Sequence, residues 1–150
     1  MKKIIVLNLA LAMLFSLVGC SSNKTKELIL EESFRTVCQK AGLTVSETET
    51  KDNGQTVISA TGQIGVYYDK FDNPDVAEAI HKSYLSETPK SDIVENDKGK
   101  NYAYVTAIES KRGNIYNIYY LVDTVHIMIS AGTKESEMEL ANKIIADLGY

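Results

Sequence analysis

Histidine, cysteine and tryptophan are scarce in this chain: its 150 residues include two histidines, two cysteines and no tryptophan. A zinc site needs three or four converging ligands, and neither His81 nor His126 has a metal-binding neighbour at i+4 or a nearby cysteine. A serine nucleophile would need one of the same two histidines as its base, and nothing singles out either. We therefore predict no metal, no cofactor and no catalytic residues. The alternative is an enzyme whose site is not visible in the sequence.

Phosphate-binding, esterase and calcium motifs are also missing from the sequence. The glycines at 62 and 65 are not followed by the Lys-Ser pair of a phosphate loop, and no G-x-S-x-G elbow is present. The acidic stretch YDKFDNPD, residues 68–75, lacks the Gly and Glu spacing of an EF-hand. Asn73 as a helix cap, with Pro74 in the first helical position, explains it better.

Positive charge is in deficit, and no basic run occurs. The chain has 16 Lys and Arg against 20 Asp and Glu, a formal charge of −4. Nucleic-acid binding requires a basic face, and attraction to anionic lipid requires a basic cluster. The sequence therefore predicts no nucleic-acid partner and no polybasic contact with a membrane.

The first 19 residues have the pattern of a secretory signal peptide. Lys2 and Lys3 form a basic start, residues 4–17 are apolar apart from Asn8 and Ser16, and small residues follow. A permanent membrane span is the alternative, but it takes about 20 apolar residues, and this run is shorter.

The stretch Leu17-Val18-Gly19-Cys20 resembles the lipobox of bacterial lipoproteins. The resemblance implies cleavage before Cys20, acylation of its thiol with a diacylglycerol carrying palmitate-type chains, and anchoring on the extracytoplasmic side of the cell membrane. An ordinary signal peptide followed by an unrelated cysteine is the alternative. We predict a signal peptide at 1–19, a lipidated cysteine with a polar tether at 20–26, and a single domain at 27–150.

Cleavage after Gly19 would leave 131 residues, enough for one domain with its own core. Because Lys2 and Lys3 are lost, 14 basic residues would remain against 20 acids, a formal charge of −6. With Cys20 lipidated, Cys38 would have no partner for a disulfide. It lies in an apolar series at helical spacing, so we predict that it is buried in the core rather than reactive.

Hydrophobic spacing predicts three helices and six extended stretches. The helices are expected at residues 27–41, ending before Gly42; from Asn73-Pro74 to Pro89, with Val76, Ile80 and Tyr84 along one face; and over the last 17 residues. Strands are expected at 43–49, 55–61, 63–71, 102–109, 115–122 and 125–131. The predicted fold is α+β, an antiparallel sheet with helices packed on one face, in the order α-β-β-α-(β)-β-β-β-α. A separate first hairpin is the alternative.

The last three strands form a meander whose two faces can be predicted from two-residue turns at Arg112-Gly113 and Asp123-Thr124. One face becomes an apolar core under the helices, with Val105, Ile118, Tyr120, Ile127 and Ile129. The other carries rings and a thioether among polar groups, the kind of surface that meets partners. Its possible interaction residues are Tyr102, Tyr104, Tyr119, Leu121, His126 and Met128. The strands between Leu43 and Tyr68 could instead cover it, or the tyrosines could simply be solvated strand residues.

These observations favour a lipid-anchored binding or protein-interaction module at the cell envelope. Its partner would be an envelope protein or another envelope ligand. An extracytoplasmic enzyme remains the alternative.

Overall fold

The computed structural model describes residues 24–150, so the predicted signal peptide and Cys20 lie outside the described residues. Within these residues, three helices and eight strands follow one another, as the α+β prediction requires. In order they are α1 (Glu31–Lys40), β1 (Thr44–Val45), β2 (Glu49–Thr50), β3 (Thr56–Thr61), β4 (Gly65–Lys70), α2 (Pro74–Glu87), β5 (Ile93–Lys98), β6 (Tyr102–Glu109), β7 (Ile115–Val122), β8 (Val125–Gly132) and α3 (Glu135–Asp147). Within the described range, no helix is long and apolar enough to cross a bilayer.

All the strands belong to one antiparallel sheet, in the order β1-β3-β4-β8-β7-β6-β5, with β2 also paired to β3. The predicted antiparallel sheet is confirmed, and the order of helices and strands broadly agrees. Because β4 pairs with β8, the first hairpin is part of the same sheet and is not a separate layer. The optional strand that the prediction placed between the second helix and the meander is β5, an edge strand.

The first sheet face forms the main core under α1 and α3. Phe34 of α1 packs its ring 5.2 Å from that of Tyr68 on β4. Cys38 is free and fully buried beside it, as its position in the apolar series predicts. The same core contains Ile118, Tyr120, Ile127 and Ile129 from the sheet, Ala141, Ile144 and Ile145 from α3, and Leu148 directly after that helix.

The second sheet face is covered by α2, so the prediction that the helices pack on one face is wrong for this helix. Asn73 caps α2 by accepting a hydrogen bond from the Asp75 amide, and Pro74 occupies the first turn, as predicted. The buried face of α2 carries Ala77 and His81, whereas Val76 is exposed. Ala77 packs with Phe71 and Leu121 in a second, smaller cluster. The sheet face under α2 therefore carries a small apolar cluster that this helix buries.

The pairing of β6 differs by one residue from the predicted register. Tyr104 pairs with Tyr120, whereas a two-residue turn would have placed Val105 there. The connection is a five-residue loop, a short 3-10 turn at Ser110–Arg112 followed by Gly113 and Asn114 at positive φ. A one-residue shift exchanges the two faces of a strand. Val105 is buried as predicted, but it lies on the α2 side.

Candidate functional site

The residues of the predicted interaction face are divided between the two sheet faces and are largely buried. The changed register of β6 puts Tyr102 and Tyr104 in the main core. Tyr119, Leu121 and His126 lie under α2, with Met128 half-buried on the same face. The Leu43–Tyr68 strands do not cover this face either, since they extend the sheet sideways.

The sheet face under α2 is unusually polar for a buried surface. Glu109 is buried and accepts hydrogen bonds from the Tyr119 hydroxyl at 2.6 Å and the side-chain nitrogen of Asn117 at 2.9 Å. The Arg112 guanidinium lies 3.3 Å from its other oxygen. The hydroxyl of Ser130 donates to the side-chain oxygen of Asn117 at 2.7 Å. This end of the layer is a satisfied network, which points to a structural role.

Two histidines form the centre of the same layer. His81 from α2 meets His126 from β8 edge to face, with ring centroids 5.4 Å apart. The ring of Tyr84 stacks on His126 at 5.2 Å and 4°. Burial lowers the pKa of His126 to about 3 and that of His81 to about 4, the latter despite the opposing carboxylate of Glu78. Both imidazoles are therefore neutral at pH 7.

All four ring nitrogens of these histidines lack a hydrogen-bond partner within residues 24–150. A neutral imidazole still carries one N–H donor and one acceptor, and leaving them unpaired in the interior is unfavourable. Asp69 pairs with His126 across the strands, and burial raises the pKa of its carboxyl, but that side chain bonds to Gln55 at 2.8 Å. The described part of the chain contains no group of three residues able to hold a metal ion.

A cleft of about 450 Å³ opens between α2 and the β5–β6 hairpin, beside His81. Its apolar floor and wall come from Leu85, Ala103, Val105 and Leu121. The turn between the two strands, Gly99–Asn101, forms one edge. Pockets that bind small molecules have this character, a mainly apolar interior with a few placed polar groups. His81 lines the cleft, but its unpaired ring nitrogens are buried rather than open to it.

The rim of the cleft carries balanced charges. Three acids and three lysines line it: Asp75, Glu78, Asp123, Lys82, Lys98 and Lys100. Glu78 and Lys82 form an ion pair at 2.9 Å, and that hydrogen bond holds the pKa of the Glu78 carboxyl below its usual value. Such a rim offers both signs of charge around an apolar interior, so it does not select for a polyanion.

Sequence reasoning missed this cleft because it placed α2 on the other side of the sheet. One available signal was the spacing of Ala77, His81 and Tyr84, which share a helix face at i, i+4 and i+7. A second was the turn at Asp123-Thr124, which correctly placed Leu121 opposite His126. Read together, they would have matched a histidine-bearing helix to a histidine-bearing sheet face.

Comparison with known proteins adds little to this geometry. No family model and no curated protein sequence matches the chain. A crystal structure of a GTP binding regulator from Thermotoga maritima covers 75% of this chain and 82% of its own, at 10% sequence identity and a TM-score of 0.48. A likeness at this level carries no argument about function.

Proposed function

We propose that the mature protein is a lipoprotein, anchored through Cys20 on the extracytoplasmic side of the cell membrane, that binds a small amphiphilic ligand in the cleft beside α2. The anchor is supported by Leu17-Val18-Gly19-Cys20 behind a basic and apolar leader. A lipoprotein head carries more than one acyl chain, and two or more chains hold a protein durably where one does not.

The single observation that carries the binding role is the chemistry of the cleft. Its volume, about 450 Å³, is within the range of roughly 300–1,000 Å³ usual for small-molecule sites. The apolar floor suits a hydrocarbon or aromatic body, and the mixed rim suits polar groups of either charge. An amphiphile of the cell envelope has both parts.

Binding is favoured over catalysis by the state of the histidines. A general base needs a pKa near the working pH and an orienting partner. The pKa of each imidazole is far below 7, and neither ring is hydrogen-bonded to a carboxylate or hydroxyl within residues 24–150.

Two measurements test this proposal. Mass spectrometry of the mature N-terminus should show acylated Cys20; a chain that begins at Met1, or that carries an unmodified Cys20, contradicts the anchor. Cys20→Ser should remove the lipid without changing the unfolding curve, because Cys20 precedes Lys24, the first residue that the structure describes.

The cleft is tested on the soluble fragment 21–150 with N-phenyl-1-naphthylamine, a neutral apolar fluorophore. Ala103→Trp fills the floor of the cleft and should weaken dye binding about tenfold or more. Ala146→Trp is the matched control, because Ala146 is exposed on α3 across the sheet. Ala103→Met is a smaller obstruction, should the larger ring disturb folding. Absent dye binding, or equal binding to all variants, contradicts the cleft as a ligand site.

A further inference from the structure

The first described stretch of chain, Lys24–Leu30, is bound to the domain rather than hanging from it. The Lys26 amide donates to the Asn101 side-chain oxygen at 3.0 Å, and the Asn101 side-chain nitrogen donates to the Lys26 carbonyl at 2.9 Å. The Lys100 amide donates to the Lys24 carbonyl at 3.0 Å. The Lys26 ammonium bonds to the Gly149 carbonyl at 3.2 Å and lies 4.9 Å from the Tyr150 ring centroid. We call this stretch the leading segment.

The leading segment exposes two large apolar side chains. Burial alternates along its end: Ile29 is 4% exposed, whereas Leu28 is 39% and Leu30 61% exposed. The Ile29 carbonyl accepts the Tyr68 hydroxyl at 3.2 Å, which fixes this residue toward the core. In an extended chain successive side chains point to opposite sides, so Leu28 and Leu30 share the outward side. Two exposed leucines on one side of the segment can be buried by contact with another apolar surface.

The length of chain before this segment limits where that pair can be. This step rests on the proposed lipid anchor at Cys20. Only four residue steps separate Cys20 from Lys24, and a fully extended chain covers at most about 3.3–3.6 Å per residue. Lys24 is then held within about 14 Å of the acylated cysteine, and so of the membrane surface. The leading segment is the part of the domain that the anchor brings nearest to lipid.

We propose that Leu28 and Leu30 insert into the outer surface of the bilayer that holds the Cys20 lipid, and that the domain therefore rests on the membrane through its leading segment. We expect lipid rather than a protein to cover these two leucines, because the anchor holds the leading segment close to the bilayer. Lys100 and Asn101, which hold the segment, also line the cleft. The cleft edge is then on the membrane side of the domain.

The test uses the mature lipidated protein in phosphatidylcholine vesicles. Because the chain has no tryptophan, a single introduced one reports without background. Leu30→Trp and, in a separate variant, Leu28→Trp should each show blue-shifted emission and at least twofold quenching when the lipid has dibrominated acyl chains. Val94→Trp is the control. Val94 is 63% exposed on the edge strand β5, four residues from the end that meets the leading segment, and the tryptophan introduced there should stay unquenched.

Each outcome decides the proposal. Quenching in the Leu28→Trp and Leu30→Trp variants that is no stronger than in Val94→Trp overturns the docking. Blue-shifted emission without quenching by brominated lipid also overturns it, and a dependence on protein density would then identify a second copy of the chain as the cover. The mass of the same sample reports the lipid on Cys20 independently. A chain without lipid defeats both proposals, whereas a lipidated chain with unquenched tryptophans defeats the docking alone.

Discussion

The imidazoles of His81 and His126 meet edge to face at 5.4 Å between a helix and a strand, with four ring nitrogens unpaired among the described residues. Because burial lowers the pKa of both below the ordinary 6.5, the unfolded chain binds protons between pH 6.5 and about 4 that the native chain does not. Stability rises with pH wherever the unfolded state binds more protons. We therefore expect the free energy of unfolding to fall as the pH is lowered from 7 to 4.

The size of this loss follows from the linkage between pKa and stability. Each pKa unit corresponds to about 1.4 kcal/mol, so each histidine should contribute a loss of about 2 kcal/mol by pH 5. His126→Leu should roughly halve the pH dependence of urea unfolding, and adding His81→Leu should remove most of the remainder. The slope against pH is the readout, because the substitutions also change packing. An unchanged slope in the double variant would mean that the imidazoles are hydrated and titrate normally.

Tyr119 and Tyr120 are neighbours in β7, and their hydroxyls differ in hydrogen bonding. The Tyr119 hydroxyl donates to buried Glu109 at 2.6 Å, whereas the Tyr120 hydroxyl is buried without a partner among the described residues. Removing one partner of a buried pair costs about 1–3 kcal/mol, and removing an unpaired polar atom is nearly neutral or stabilising. Tyr119→Phe should therefore lower the free energy of unfolding in denaturant melts, while Tyr120→Phe should leave it equal or higher. The reverse order would contradict the assignment of the two faces of β7.

Ile118 tests the part of the core that was predicted correctly. It is fully buried between β6 and β8, where it faces Thr106 and Ile129. Ile118→Ala should cost about 2–5 kcal/mol in urea unfolding, as truncation of a buried aliphatic does. Val94→Ala, at an exposed edge position, should change stability by less than about 0.5 kcal/mol. A small effect at Ile118 would place its side chain outside the core.

The difference between the two hairpins of the meander shows what could be predicted from the sequence. Asp123 takes the left-handed conformation that a two-residue turn demands, at φ 48°, so Val122 pairs with Val125 and the predicted register of β7 and β8 is right. Gly113 indicated a turn equally well. Local preference could not show that Ser110–Arg112 would wind into a 3-10 turn and lengthen the loop to five residues.

The position of α2 could not be predicted from the sequence for a related reason. Its three apolar residues at helical spacing, Val76, Ile80 and Tyr84, predict a buried stripe. In the structure the helix is oriented so that His81 is buried and Val76 is exposed. Hydrophobic spacing treats histidine as polar. A neutral imidazole can be buried against another ring, and that pairing depends on a strand far away in sequence. The cleft beside α2 is formed by the same long-range contact.

The final prediction concerns Asn101, whose side chain fastens the leading segment to the β5–β6 turn. Its oxygen accepts from the Lys26 amide, and its nitrogen donates to the Lys26 carbonyl and to Asp123 at 3.0 Å. Asn101→Ala should speed hydrogen exchange at the Lys26 amide about tenfold or more. The global free energy of unfolding should fall by less than this tenfold change corresponds to. A local opening of this kind exposes one segment while the rest stays folded.

Two further variants make this result specific. Asn101→Asp keeps an acceptor for the Lys26 amide but loses both donors and places a carboxylate beside Asp123. Exchange at Lys26 should then lie between that of the native protein and that of Asn101→Ala. Asn96→Ala is the control, because Asn96 is an exposed asparagine on β5 that lines the same cleft; it should leave Lys26 protected. Equal exchange at Lys26 in all four proteins would mean that the leading segment is held mainly by its lysine contacts to Gly149 and Tyr150.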